Sequence, residues 1–155
     1  MKTRNFLLLF IASVPLLFSS CIKDDAATAD AKAQLEGTWR YTSVTYTRAG
    51  SPTVYTVTDN YDQYKLQFNE DGTASRRNTV NGELEEGKWY LENMTLTGTT
   101  ENTSTSFQKL NLYLNKELTG YSVEEEWQSV NISSTRLTAR YANGERTFSY
   151  TLTRD

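Results

Sequence analysis

The strongest constraint on the fold of this chain is a period of two. From Trp39 onward, apolar and polar residues alternate: Tyr64, Leu66 and Phe68 against Lys65, Gln67 and Asn69, and Leu110, Leu112 and Leu114 against Asn111, Tyr113 and Asn115. Leu137, Ala139 and Tyr141 alternate with Arg136, Thr138 and Arg140, and Phe148, Tyr150 and Leu152 with Thr147, Ser149 and Thr151. Successive side chains of a strand point to opposite faces, so this pattern, in a region rich in Thr, Tyr and Val, describes half-buried antiparallel strands. Asp71-Gly72, Asn81-Gly82 and Asn143-Gly144 supply the positive φ angles of tight hairpins. Of the two prolines, only Pro52 falls in this region, inside a Gly50-Ser51-Pro52 turn, and no later stretch sustains a helical period.

The pattern predicts strands near 38–47, 53–58, 63–69, 73–80, 84–91, 94–98, 104–114, 121–132, 134–141 and 145–153, with one or two of these merging or dissolving into loop. Consecutive hairpins with one apolar face favour closure, which removes exposed edges. The expected fold is therefore all-β: an antiparallel up-and-down meander closed into a barrel of about eight strands, with a β-sandwich as the alternative. One stretch breaks phase. Val123 and Trp127 share a face while Val130 and Ile132 share the opposite one, which predicts a bulge near Gln128–Ser129.

The first 25 residues carry a different signal. Lys2 and Arg4 precede a thirteen-residue apolar run, Phe6 to Phe18, and Ser19 and Ser20 lead into Cys21, the only cysteine. The run is too short for a permanent span of a hydrocarbon core, which takes about 20 residues, and suits a secretory signal. The small-small-Cys ending resembles the lipobox of bacterial lipoproteins, which implies cleavage before Cys21 and attachment of lipid to its sulfur. Several acyl chains, as mature lipoproteins carry, give stable membrane attachment where one does not. Lys23-Asp24-Asp25, just beyond, resembles the export signal that sends lipoproteins of Bacteroidota to the outer face of the outer membrane. The expected organisation is a signal peptide over 1–20, a lipidated cysteine and tether over 21–35, and a barrel domain over 36–155. Within the tether, Asp25 or Thr28 can cap a short helix of Ala29, Ala31, Ala33 and Leu35, stopped by Gly37.

Loss of residues 1–20 removes Lys2 and Arg4 and leaves 14 basic against 19 acidic residues. An acidic domain without a basic stripe is poorly suited to neutralising phosphates, so nucleic acid is not an expected partner. With its one thiol at the anchor, the domain folds without disulfides.

Leu35-Glu36-Gly37-Thr38-Trp39-Arg40 resembles the Gly-x-Trp start of lipocalins, and Leu66 to Thr73 and Gly87-Lys88-Trp89-Tyr90-Leu91 are similar to bacterial lipocalin-like lipoproteins. The resemblance covers roughly residues 35–155. It implies a lipocalin-like (calycin) barrel whose first-strand tryptophan, Trp39, packs at the base under a late-strand arginine. Arg154, in phase with Phe148, Tyr150 and Leu152, is one candidate and Arg140 the other. Thr58-Asp59-Asn60-Tyr61 echoes the family's Thr-Asp-Tyr motif only loosely and comes early, which marks a divergent relative.

Catalysis is mostly argued against. There is no histidine, which removes histidine-based triads, metal sites and haem ligation. Gly82 to Trp89 superficially fits a phosphate loop, but Trp89 stands where Ser or Thr is required and three glutamates would repel phosphate. Asp59, Asp62 and the Glu70-Asp71 turn lack a calcium-loop spacing, so no metal or other cofactor is expected. In the Glu124-Glu125-Glu126 run, Glu125 shares a face with Trp127. If that face is interior, Glu125 needs a partner, an arginine or a ligand group; at a mouth or edge all three would be solvated. Two functions remain. One is a binder of a small apolar or glycan-like ligand, with Tyr41, Tyr64, Phe68, Trp89, Glu125 and Trp127 as candidate contacts. The other is a filled barrel acting as an interaction module for another surface protein.

Overall fold

The computed structural model describes residues 26–97, 104–116 and 121–155. The signal segment, Cys21, Lys23, Asp24 and Asp25 lie outside the described residues. Helix α1 (Ala26–Leu35) is followed by β1 (Gly37–Arg48), β2 (Val54–Thr56), β3 (Tyr64–Phe68), β4 (Thr73–Asn78) and β5 (Leu84–Thr97). β6 (Ser104–Lys116), β7 (Tyr121–Ile132), β8 (Arg136–Asn143) and β9 (Arg146–Arg154) complete the order.

Every neighbouring pair in the run β1-β3-β4-β5-β6-β7-β8-β9 is antiparallel, and β9 returns to β1 from Trp39↔Arg154 to Arg48↔Arg146. Eight strands thus close into a lipocalin-like up-and-down barrel, and the ninth, β2, lies outside the ring. Closure rules out the sandwich. β2 is shorter than the 53–58 segment expected: it pairs with β1 only at Thr45, Tyr46 and Thr47, beyond the Gly37–Arg40 stretch that pairs with β3. The expected strands at 84–91 and 94–98 are one continuous strand, β5, paired with β6 from Glu86↔Asn115 to Thr97↔Ser104.

The phase break in β7 is a bulge. Three residues of β6, Gln108 to Leu110, oppose four of β7, Val130 to Trp127, and β8 shows the same offset between Gln128 and Asn131. Ser129 takes up the extra residue at φ 51°, the one non-glycine residue in the left-handed region among those described. The shift lets Trp127 and Val130 both face the interior, where both are buried.

The base of the barrel is closed by α1. Residues 26–35, read from the sequence as the end of a tether, are packed against the base, with Leu35 fully buried and Ala31 nearly so. The short helix expected there is present and packs as part of the folded unit. The helix leaves unsatisfied carbonyls at its C-terminus, and two side chains of the barrel take them up. Trp39 Nε1 donates to the Leu35 carbonyl at 2.7 Å, and Arg154 donates to the Gln34 and Glu36 carbonyls. The Arg154 guanidinium also lies 4.6 Å from the Trp39 ring centroid, so Arg154 rather than Arg140 covers the base tryptophan. Gly37 is required here twice over, because φ is +119° and a Cβ would meet Arg154 Nη1 at 2.5 Å. Leu66, Phe68, Leu110, Leu112, Leu137 and Leu152 fill the barrel above this plug.

Candidate ligand site at the mouth of the barrel

At the end opposite α1 the interior is not filled. A cavity of about 600 Å³ opens there, lined by Tyr61, Tyr64, Val123, Tyr141, Phe148 and Tyr150 around the inward-facing Arg76, Glu85 and Glu125. Alternation places these charges. Arg76 lies between the buried Ala74 and Asn78 on one face of β4, while Arg77 points out. Glu85 is in phase with Trp89 and Leu91 on β5, and Glu125 with Trp127 on β7.

Arg76 joins the two carboxylates. Its Nε donates to Glu85 Oε2 at 2.6 Å, the direct cross-strand neighbour, and its Nη1 to Glu125 Oε1 at 3.3 Å across the interior. Glu125 Oε2 accepts the Trp127 indole N–H at 2.7 Å. The interior reading of Glu125 is therefore the one realised, with an arginine as its partner. Glu126 instead pairs outside with Lys109 at 2.8 Å. Arg76 also stands 5.8 Å from the Tyr64 ring centroid.

The rings beside this floor form a continuous wall. Tyr41, Tyr61 and Tyr150 pack on one another with centroids 5.4 to 6.0 Å apart, and Trp127 lies 4.9 Å from Tyr150. Burial raises the hydroxyl pKa of Tyr41, Tyr61 and Tyr150 above the ordinary phenol value, and the nearby Glu125 adds to each. Burial alone would lower Arg76, but the hydrogen bond to Glu85 and the charges of Glu125 and Glu85 hold the guanidinium above its ordinary value. The floor is thus a fixed arrangement of a cation, two anions and neutral phenols, with hydrogen-bonding capacity directed at the opening.

The sequence candidates divide between the two ends. Tyr64 and Glu125 line the cavity, and Tyr41 and Trp127 lie buried beside it. Phe68 and Trp89 do not line it. They pack edge to face at 5.7 Å in the filled half, with Trp89 Nε1 bonded to the Asn69 carbonyl beside the β3–β4 turn. Arg76, Glu85, Tyr61 and Tyr150 were missed as site residues. The available signal was phase: Arg76 alternates with Ala74, and Glu85 with Trp89 across Gly87. A second depression, about 620 Å³, lies on the outer wall and is walled by Lys65, Gln67, Ser75, Arg77 and Glu86, without an aromatic ring. Among the described residues no group of three acidic or cysteine side chains is placed to hold a metal ion.

No family model, curated protein or solved structure matches this chain.

Proposed function

We propose that this chain is a non-catalytic lipoprotein of the bacterial cell envelope that binds a small ligand, apolar or glycan-like in its body, at the mouth of its barrel. It is a divergent relative of the lipocalin-like lipoproteins, held in the outer membrane through lipid on Cys21 and displayed on the cell exterior by Lys23-Asp24-Asp25. The observation that carries the reading is the cavity of about 600 Å³, floored by Arg76, Glu85 and Glu125 and walled by aromatic rings. Its size falls within the range of about 300–1,000 Å³ usual for small-molecule sites, and its lining, more polar than apolar, sets convergent charged groups beside aromatic rings. The competing reading, a filled barrel that contacts another surface protein, requires side chains to occupy this space.

The polarity of the molecule agrees with attachment at Cys21. The N-terminal helix sits at the closed base, so a lipid placed shortly before Ala26 leaves the mouth facing away from the membrane.

Native mass spectrometry of the full chain, exposed to lipid and glycan extracts, tests the reading. Retention of an adduct by the natural chain, and its loss on Val123→Trp, which adds bulk at the cavity lining and leaves Arg76, Glu85 and Glu125 unchanged in identity, is the expected result. Absence of any adduct from a folded protein would transfer the proposal to the interaction module. In the same strain set, Cys21→Ala releases the protein from the membrane fraction; unchanged attachment would reject the anchor.

A further inference from the structure

The charge of the cavity floor narrows the ligand class, given the binding site proposed above. Two carboxylates, Glu85 and Glu125, share the single guanidinium of Arg76, and the three side chains are 14%, 10% and 13% exposed, respectively. Their sum is one excess negative charge in a largely desolvated place. Charge in such surroundings is costly until it is paired, so the floor favours an occupant that brings a positive group.

The surrounding groups do not supply that charge. Arg48 and Arg146 stand at the rim over the rings of Tyr55 and Tyr46, each 5.2 Å from a centroid, and neither lines the cavity. Arg77 points to the outer wall. The neighbouring acid on β7, Glu124, also borders the cavity, exposed at its rim, and adds a further carboxylate rather than a cation. The phenols of Tyr41, Tyr61 and Tyr150 stay neutral, since their pKa values are raised by burial. Aromatic faces carry negative potential and attract cations, and Tyr61, Tyr64, Tyr141 and Phe148 present such rings above the carboxylates.

We infer that the mouth selects a small organic cation, an amine or quaternary ammonium, with its charged end at Glu85 and Glu125 and its apolar body along the aromatic wall. An anion of the same shape meets two carboxylates before it reaches Arg76, which they already occupy. A neutral body of the same shape gains the aromatic contact and leaves the excess charge unpaired.

Three probes of nearly equal shape separate these cases: choline, 3,3-dimethylbutan-1-ol and 3,3-dimethylbutanoate, titrated by calorimetry into the full chain in lipid nanodiscs. The expected result is choline tighter than the alcohol by about tenfold or more, as cation–aromatic and charge pairing at a desolvated site imply, with the carboxylate weakest. Glu85→Gln is expected to bring choline and the alcohol to similar affinity while thermal melting shows a folded barrel. Glu125→Gln, which keeps an acceptor for the Trp127 N–H, serves as the second variant if the first fails to fold. Equal affinity of choline and the alcohol in the natural chain, or preference for the carboxylate, would overturn the cation assignment. So would a natural chain that retains an extract-derived adduct and binds none of the three probes, and in that case ligand binding itself would stand. A folded chain that takes neither probe nor adduct would remove both readings.

Discussion

At the scale of single residues, Arg76 is the most consequential side chain of the upper barrel. It is the one guanidinium between the buried Glu125 and the part-buried Glu85, so its removal leaves both carboxylates without their cation. Breaking a buried pair in this way costs about 3–5 kcal/mol, whereas replacing all the charged partners by apolar groups of similar volume is often neutral or stabilising. Arg76→Ala is accordingly expected to lower unfolding free energy by about 3–5 kcal/mol in urea titration. The triple variant Arg76→Met, Glu85→Leu, Glu125→Leu is expected to keep natural stability within about 1–2 kcal/mol and to lose ligand binding. A triple variant as unstable as Arg76→Ala would mean that the charges hold the fold rather than equip the mouth. The sequence made half of this site legible. Period-two phase put Glu125 on the Trp127 face and showed that it needed a partner there. The partner was not legible, because Arg76 and Glu125 are 49 residues apart and meet across the interior, from β4 to β7. Local pattern fixes which face a residue takes; it does not fix which strand lies opposite inside a closed ring.

At the scale of elements, alternation and turn chemistry carried most of the fold. Gly72, Gly82 and Gly144 of the three Asx-Gly pairs all adopt positive φ in the expected turns, and the bulge in β7 was visible as a change of phase. Ser129 is the residue that absorbs it, at φ 51°. An L side chain in the left-handed region costs roughly 1–2 kcal/mol, and a β-branched residue is least suited to it. Ser129→Val is therefore expected to destabilise the barrel by about 1–2 kcal/mol, while Ser129→Gly should be neutral or slightly stabilising. The check is the shift in midpoint of thermal or urea unfolding; equal effects of the two would show that the bulge does not depend on this backbone conformation. The role of α1 was less legible. Ala29, Ala31, Ala33 and Leu35 favour a helix, but so small an apolar stripe does not announce burial. What recruits the helix to the base is partly nonlocal: Trp39, four residues on, takes up the Leu35 carbonyl, but Arg154 reaches the Gln34 and Glu36 carbonyls from the last strand.

At the scale of the whole molecule, the barrel is two halves with different physics. The half near α1 is packed with leucines and with Trp39, Phe68 and Trp89, and has the character of an ordinary core. The half near the opening keeps its charges paired on one floor and leaves space above it. Which aromatics belong to which half could not be read from the sequence, because inward phase is the same along the length of a strand. Height along the barrel axis comes from register, and register is what moved Phe68 and Trp89 to the base and left Tyr64 and Glu125 at the mouth. The same division makes the three tryptophans position-specific reporters: Trp39 and Trp89 in the packed half, and Trp127 bonded to Glu125 at the cavity floor. Fluorine NMR of the full chain with 5-fluorotryptophan, titrated with the extract-derived ligand or with choline, reads them separately. Binding at the mouth predicts a saturable shift of the Trp127 resonance with Trp39 and Trp89 unmoved. A bound ligand that leaves Trp127 in place, or moves Trp39 or Trp89 instead, would contradict it.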